Sequence, residues 1–168
     1  MYEQDYLNDC IVRLKELKAL ADRAMAQITD QEMFRTLDGE SNSIAFIVKH
    51  LSGNMRSRWT DFFTSDGEKP SRNRDGEFES HKEDTRDKLI AAWEEGWNLA
   101  FAVISSLKSE DLGRTVTIRS ESHTVIQAIT RNMLHTASHV GQIVLLAKHF
   151  AGPKWQTLSI PRGRSQNV

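Results

Sequence analysis

Two histidines, His135 and His139, are separated by one helical turn in the segment His135-Thr136-Ala137-Ser138-His139. At 3.6 residues per turn, their side chains are offset by about 40° around the helix axis, with Cβ atoms roughly 5–6 Å apart. Two imidazoles at that spacing can bind one ion, each through a nitrogen at about 2.0–2.1 Å. Neutral imidazole suits zinc, nickel, iron or copper. The pair therefore indicates part of a metal site.

The residues around this pair form a polar seam in an otherwise apolar helix. The seam contains Asn132, the two histidines and Gln142, and it is flanked by Ala128 and Leu146. Buried polar groups need partners, and a metal ion would supply one. The same spacing also occurs on solvated helix faces and among ordinary core histidines, so the pair alone leaves those alternatives open.

A third ligand is needed, and His50 is the best candidate. Phe46 and Ile47 lie one turn before it and Asn54 one turn after it, so His50 falls on the inward face of a predicted helix. The other histidines lie in a charged loop, just before a helix, or about 15 Å along the axis from the pair. They are His81, His123 and His149. The sequence therefore predicts a metal site made of three histidines.

Three protein ligands leave coordination positions open, which is typical of a catalytic rather than a structural metal site. Thr136 stands where a zincin protease would have its glutamate, and no nearby carboxylate is an evident general base. The sequence thus names no catalytic residue besides the metal ligands. Asn54, Asn132 and Gln142 are candidates for groups that line the pocket or support the ligands.

Four long amphipathic helices are expected to position these residues, because apolar side chains recur at spacings of three and four. Their approximate bounds are residues 5–28, 43–62, 84–108 and 124–152. The segment from Thr64 to Glu83 carries many charges and is interpreted as a long solvated loop. A connection of that length can cross a bundle and leave its flanking helices parallel.

Local signals mark the ends of these helices. Capping boxes are expected at Ser80 to Glu83 and at Thr124 to Gln127, and Thr115 to Arg119 has the β-branched alternation of a short strand. The fourth helix is apolar almost all round, so part of its surface is expected to be covered by a second subunit. Residues 1–152 form the predicted helical domain, and residues 153–168 form a C-terminal extension packing on it.

Composition bounds the function classes. The chain has 168 residues, enough for one domain with a sizeable core, and its net charge of -1 gives no footprint for nucleic acid or an anionic membrane. Its single cysteine, Cys10, excludes an internal disulfide and fits a cytoplasmic protein, and we interpret it as a core residue. The polar start and the lack of a long apolar run predict neither a signal peptide nor a membrane span. The tryptophans Trp59, Trp93 and Trp97 are expected in the core.

The order and spacing of these features resemble the DinB-like superfamily of small metalloenzymes, over about residues 5–152. The resemblance implies an all-α four-helix bundle in up-down-down-up order, with a long crossover between helices 2 and 3. In that family one metal ligand comes from the second helix and two come from the fourth, at positions that match His50, His135 and His139. The segment Leu158 to Gly163 resembles an uncharacterised bacterial branch of the superfamily.

The resemblance also implies a function. Members often form homodimers and bind nickel or zinc, and some transfer low-molecular-weight thiols such as bacillithiol or mycothiol to small-molecule electrophiles. Others are described as hydrolases. We therefore expect a metal that activates either a thiol cofactor or water. The alternatives are a non-catalytic, metal-binding dimer that binds a small molecule or a protein, and a plain helical bundle with ordinary core histidines.

Overall fold

The computed structural model describes residues 2–161 together with 163 and 164. Within these residues the chain forms four long helices, one short helix and a two-stranded hairpin, so the predicted predominance of helix is confirmed. The helices are α1 (Tyr2–Met25), α2 (Asp30–Phe34), α3 (Ile44–Trp59), α4 (Arg86–Ser106) and α5 (Val125–Ala151). The strands are β1 (Thr115–Ile118) and β2 (Glu121–Thr124).

The helix starts follow from side chains that accept the exposed backbone N–H groups. Ser43 caps α3, and Thr124 forms the predicted capping box with Gln127 at the start of α5. The expected box at Ser80 to Glu83 is wrong, because α4 begins at Arg86 with Thr85 as its cap. The short helix α2, which has its own capping box, is not predicted by the sequence.

Asp84 explains why the start of α4 lies later than expected. Its carboxylate accepts the backbone N–H of His81 and also pairs with Lys49 of α3, at 2.9 Å. The backbone N–H of Asp84 in turn donates to the carbonyl of His81. These bonds fold residues 81–84 into a turn against α3, so they are not free to begin a helix.

The core lies between the long helices: α1 contacts α4 and α5, and α3 contacts the same two helices. Trp59, Trp93 and Trp97 are at most 1% exposed, which confirms them as core residues. Trp93 donates from its indole nitrogen to Asp22 of α1 at 2.8 Å, so its one polar atom is satisfied. Cys10 is buried as well, in agreement with the prediction.

The crossover between α3 and α4 is a long and largely exposed connection, as the sequence predicts, but it is also attached to the rest of the fold by hydrogen bonds. The backbone N–H of Gly67 donates to the carbonyl of Thr117 on β1 at 2.8 Å, and the hydroxyl of Ser57 on α3 donates to the carbonyl of Gly67. Asp66 accepts both backbone N–H groups of the hairpin turn. The crossover is therefore attached to α3 and to the hairpin at once.

The hairpin fixes where α5 begins. Strands β1 and β2 pair antiparallel, with Ile118 opposite Glu121, so the predicted extended segment is one half of a true hairpin. Its two-residue turn, Arg119 and Ser120, has φ angles of 54° and 63°, the left-handed geometry that closes such a hairpin. Since Thr124 both ends β2 and caps α5, the hairpin sets the position of the helix that carries two candidate ligands.

The described part of the C-terminal extension contacts α1. Gln156 exchanges two hydrogen bonds with Gln27, Arg23 donates to the carbonyl of Leu158, and the side chain of Trp155 packs on the core. Residue 162 and residues 165–168 of the predicted extension lie outside the described residues, as does residue 1. None of the described helices combines the length and the apolarity that a membrane span requires.

Candidate metal centre

The three predicted histidines converge in the structure. The Nε2 atoms of His50 and His135 are 3.0 Å apart, and the ring centroid of His139 lies 5.0 Å from that of His50 and 4.7 Å from that of His135. One ring nitrogen from each lies within 4.8 Å of the others. In the part of the chain that the structure describes, no other three histidine, cysteine or acidic side chains are so grouped.

The arrangement of these nitrogens fits a divalent ion. Two imidazole nitrogens at about 2.0–2.1 Å from one ion are roughly 2.9–3.4 Å apart for coordination angles between octahedral and tetrahedral. The 3.0 Å between His50 and His135 falls within that range. A hydrogen bond between the rings of His50 and His135 would have a similar length. It would not explain why the ring of His139 also lies close to both of them. The all-nitrogen donor set suits nickel or zinc better than magnesium or calcium.

A carboxylate supports the most buried of the three rings. Glu77 Oε2 lies 2.9 Å from Nδ1 of His50, and Arg72 contacts both oxygens of Glu77, at 2.7 and 2.8 Å. Because the carboxylate accepts the Nδ1 proton, Nε2 of His50 keeps its lone pair for the side where the other histidines lie. The ring of Phe78 packs against His50 at a centroid distance of 5.0 Å.

The sequence does not reveal Glu77 as part of this site. It lies in a short 3₁₀ turn, Asp75–Phe78, within the crossover, among many exposed charges of both signs. Only its burial distinguishes it, since Glu77 is 8% exposed whereas Glu79 is exposed. No local pattern in the sequence carries that information.

His50 and Arg72 keep the buried carboxylate of Glu77 deprotonated. Burial on its own raises the pKa of Glu77, but the hydrogen bonds from His50 and Arg72 and the charge of Arg72 outweigh it and lower the pKa. Glu77 is therefore ionised at neutral pH and fully engaged. It acts as an acceptor for His50, and it is not a free general base.

The three amide residues singled out by the sequence lie around the histidines. Gln142 Oε1 is 2.8 Å from Nδ1 of His139, so it accepts that proton and leaves Nε2 of His139 free to bind an ion. Asn132 donates to Asn54 at 3.1 Å, and both line a cavity of about 100 Å³ whose wall includes His50. Their role in the site stays a prediction.

The family comparison covers all of these residues. The chain matches over residues 2–164 the model of a family described as a protein of unknown function (DUF1572). The chain belongs to this family. No curated protein matches it. Since the family description names no activity, the function has to be argued from the geometry of the site.

The two histidines of α5 are held in the neutral form that binds metals. Burial, together with the neighbouring rings of His139 and His50, lowers the pKa of His135 to about 4. Burial also lowers the pKa of His139, against a smaller opposing effect of its hydrogen bond to Gln142. Both rings therefore offer unprotonated nitrogens at neutral pH, without competition from protons.

Two cavities flank the site, and they differ in what lines them. The larger, of about 790 Å³, is lined by Glu77 and Arg72 but by none of the three histidines. The smaller, of about 100 Å³, is lined by His50 and His135 themselves. A molecule bound at an ion between the histidines would therefore reach into the smaller cavity, despite its size.

A substitution at Gly53 of α3 can test whether Glu77 is held in place. A Cβ at position 53 would lie 2.2 Å from Oε1 of Glu77. In an open helix, replacing glycine by alanine gains about 0.5–1 kcal/mol. Here we expect Gly53→Ala to lower the free energy of unfolding by about 1 kcal/mol or more, because the carboxylate must leave His50 and Arg72. Urea unfolding monitored by circular dichroism measures the change.

The matched control for this substitution is a double-mutant cycle. In a Glu77→Ala background there is no carboxylate to displace, so Gly53→Ala should recover the ordinary gain of about 0.5–1 kcal/mol. An equal gain in both backgrounds would show that Glu77 is not fixed between His50 and Arg72.

Acid should destabilise the metal-free protein through His135. Its pKa is about 4 when folded and 6.5 in the reference state, so between these values the unfolded chain binds a proton that the folded chain does not. The free energy of unfolding should therefore fall as pH falls from about 6.5 towards 4. Urea unfolding across this range in the presence of a chelator measures the slope.

The slope should be shallower in His135→Asn and unchanged in His81→Asn, which alters an exposed histidine outside the site. A slope that is the same in His135→Asn as in the unmodified chain would contradict the assigned burial effect.

Proposed function

We propose that the chain is a divalent-metal-dependent enzyme whose ion is held by His50, His135 and His139. The observation that carries the proposal is the convergence of three ring nitrogens within 4.8 Å, one of them on a ring held by a buried carboxylate. Three protein ligands leave coordination positions open for a reacting molecule. Bound there, a nickel or zinc ion would lower the pKa of a thiol or of water and supply a nucleophile at neutral pH.

The surrounding residues would orient the ligands. Glu77 holds the Nδ1 proton of His50, and Gln142 holds that of His139, so both rings present Nε2 in a fixed direction. Arg72 keeps Glu77 ionised and in position. These contacts make the donor atoms ready before a ligand arrives, which is what a reactive centre needs more than a structural clamp does.

The adjoining cavity favours an enzyme over a non-catalytic metal clamp. A purely structural site is closed, with every coordination position filled by protein. Here His50 and His135 line a cavity, and among the described residues no fourth ligand completes the group. Transfer of a low-molecular-weight thiol to a small electrophile is the reaction we propose first, with metal-assisted hydrolysis as its close variant.

We also propose the up-down-down-up bundle and the dimer that the DinB-like resemblance implies. Four long helices, a crossover of the required length, and ligands from α3 and α5 support the bundle. Leu134 and Leu145 on α5 are 66% and 65% exposed and lie about 20° apart around the helix axis. Two exposed leucines on one helix face are suited to burial against a second copy of the chain.

Metal uptake tests the ligand assignment. Protein freed of metal by a chelator and loaded with nickel or zinc should retain about one ion per chain after desalting. Joint replacement of His50, His135 and His139 by alanine should abolish this uptake. The measurement is metal analysis by mass spectrometry, with circular dichroism to show that the variant folds.

The matched control replaces the three histidines outside the group, His81, His123 and His149, and should retain one ion per chain. Glu77→Gln should bind the ion about 10-fold or more weakly, because loss of a partner that orients a ligand typically costs that much. Retention of the ion by the triple variant of the ligands would refute the site.

Thiol dependence separates the two reactions. Metal-loaded protein is incubated with an electrophile, with and without bacillithiol, mycothiol or glutathione, and product is followed by mass spectrometry. We expect a thioether product that requires the thiol and is lost in the triple-histidine variant. Turnover without any thiol would contradict transfer and support hydrolysis, and absence of both products with every thiol would count against an enzyme of either kind.

A further inference from the structure

The cavity of about 100 Å³ beside the histidines is unusually basic. Five of the residues that line it are arginines, and none carries a carboxylate. These arginines come from α3, the crossover, the hairpin turn and α5: Arg58, Arg72, Arg74, Arg119 and Arg131. Side chains from four separate parts of the chain thus bring positive charge to one small space.

Two of the five arginines are neutralised by nearby carboxylates. Arg72 pairs with Glu77 and Glu68, and Arg119 pairs with Glu68 at 3.1 Å. The side chains of the other three make no hydrogen bond or ion pair with any residue that the structure describes. The cavity therefore carries positive charge that the protein itself does not neutralise.

Arg58 is the most informative of these three. It lies on α3, about two turns beyond His50, and is only 6% exposed. Its Nη1 atom is buried without a hydrogen-bond partner. Burial, with repulsion from Arg131, lowers the pKa of Arg58 to about 10, although the carboxylate of Glu68 acts in the opposite direction. A buried, unpaired guanidinium is unfavourable unless something else supplies the negative charge.

The crossover packs directly over this side chain. A Cβ at Gly67 would lie 2.9 Å from Nη1 of Arg58, so the absence of a side chain there lets the backbone approach the guanidinium. Gly67 is itself held by hydrogen bonds to β1 and to Ser57. Arg58 is therefore enclosed by ordered structure, and its position at the cavity is a built feature of the fold.

A second buried polar group faces the same space. Asn132 is 4% exposed, and its Oδ1 has no partner, although its amide nitrogen donates to Asn54. Buried polar atoms in native proteins are nearly always hydrogen-bonded, so the unpartnered donor of Arg58 points to a bound acceptor at this cavity, whereas Oδ1 of Asn132, itself an acceptor, calls for a donor such as a water molecule.

We propose that this cavity binds an oxyanion, a carboxylate or phosphate group, of the small molecule that reacts at the three histidines, with Arg58 and Arg131 as its principal donors. Guanidinium groups bind such oxyanions through paired, charge-assisted hydrogen bonds. The cavity holds the volume of about three water molecules, which suits one such group rather than a whole substrate.

The proposed oxyanion site and the candidate metal site share one cavity, so a bound anion would lie next to the metal ligands. Because His50 and His135 line the same cavity, an anion held by Arg58 would place the rest of its molecule beside the open coordination positions. The site thus selects a substrate or thiol cofactor that carries a negative group near its reactive atom. This selection rests on the proposed function, whereas binding of the anion does not.

The test measures anion binding to the full chain, with and without zinc, by calorimetry at low salt. The probes are inorganic phosphate, succinate and the neutral analogue succinamide. We expect saturable binding of phosphate, succinate or both, and none of succinamide. Binding of only one anion identifies whether the group is phosphate or carboxylate. Absence of binding by both anions, or equal binding of succinamide, would overturn the proposal.

Variants connect the binding to the arginines. Arg131→Gln, at an exposed position, and Arg58→Gln should each weaken anion binding by about 10-fold or more, because each removes a charged donor. Arg13→Gln makes the same change of charge on α1, outside the cavity, and should bind as the unmodified chain does. Since Arg58→Gln risks misfolding, Arg131→Gln is the decisive variant. Unchanged anion affinity in Arg131→Gln would overturn the assignment of the arginines as donors to the anion.

The two proposals can fail separately. Zinc uptake is measured on the same samples, so uptake without anion binding refutes the oxyanion site and leaves the metal site standing. Anion binding that persists in chelator-treated protein without any uptake refutes the metal site alone. Anion binding that requires zinc would show direct coordination to the ion, and it would overturn the role of the arginines.

Discussion

The buried ion pair between Arg72 and Glu77 is the interaction on which the site depends. The side chains are 5% and 9% exposed, so each charge has lost most of its water and depends on its protein partners, which include Glu68 for Arg72 and His50 for Glu77. Removal of one member of such a pair typically costs about 3–5 kcal/mol, because the remaining charge is left buried and unpaired. Loss of Glu77 would also leave the Nδ1 proton of His50 without its acceptor. The same carboxylate, Glu77, thus stabilises the fold and orients a candidate metal ligand.

The crossover accordingly has two roles. It connects α3 to α4, and it forms one wall of the site, with Glu77 against His50 and Gly67 against Arg58. Asp66 accepts two backbone hydrogen bonds from the hairpin turn, which ties this wall to the strand that leads into α5. The histidine of α3 and those of α5 are therefore held in register through the connections between the helices as well as through the core.

Much of the fold could be predicted from the sequence because its signals are local. Apolar periodicity identifies the four long helices, and Thr124 with Gln127 marks the start of α5. The start of α4 could not be predicted in the same way, since Asp84 is drawn to Lys49 of a different helix. The site shows the same division. The spacing of His135 and His139 is readable, but Glu77 and Arg58 resemble surface charges until the tertiary structure buries them.

The distance along the chain between the site residues determines when the site can form. His50 is 27 positions from Glu77 and 85 positions from His135, so none of these contacts can be made within a single helix. Contacts between residues so far apart in sequence require loop closure and are slow to form, whereas helices form early. The histidine group is thus completed only when α5 docks against α3. Its integrity reports on the entire tertiary structure, and a nascent chain that ends before α5 has no site to load.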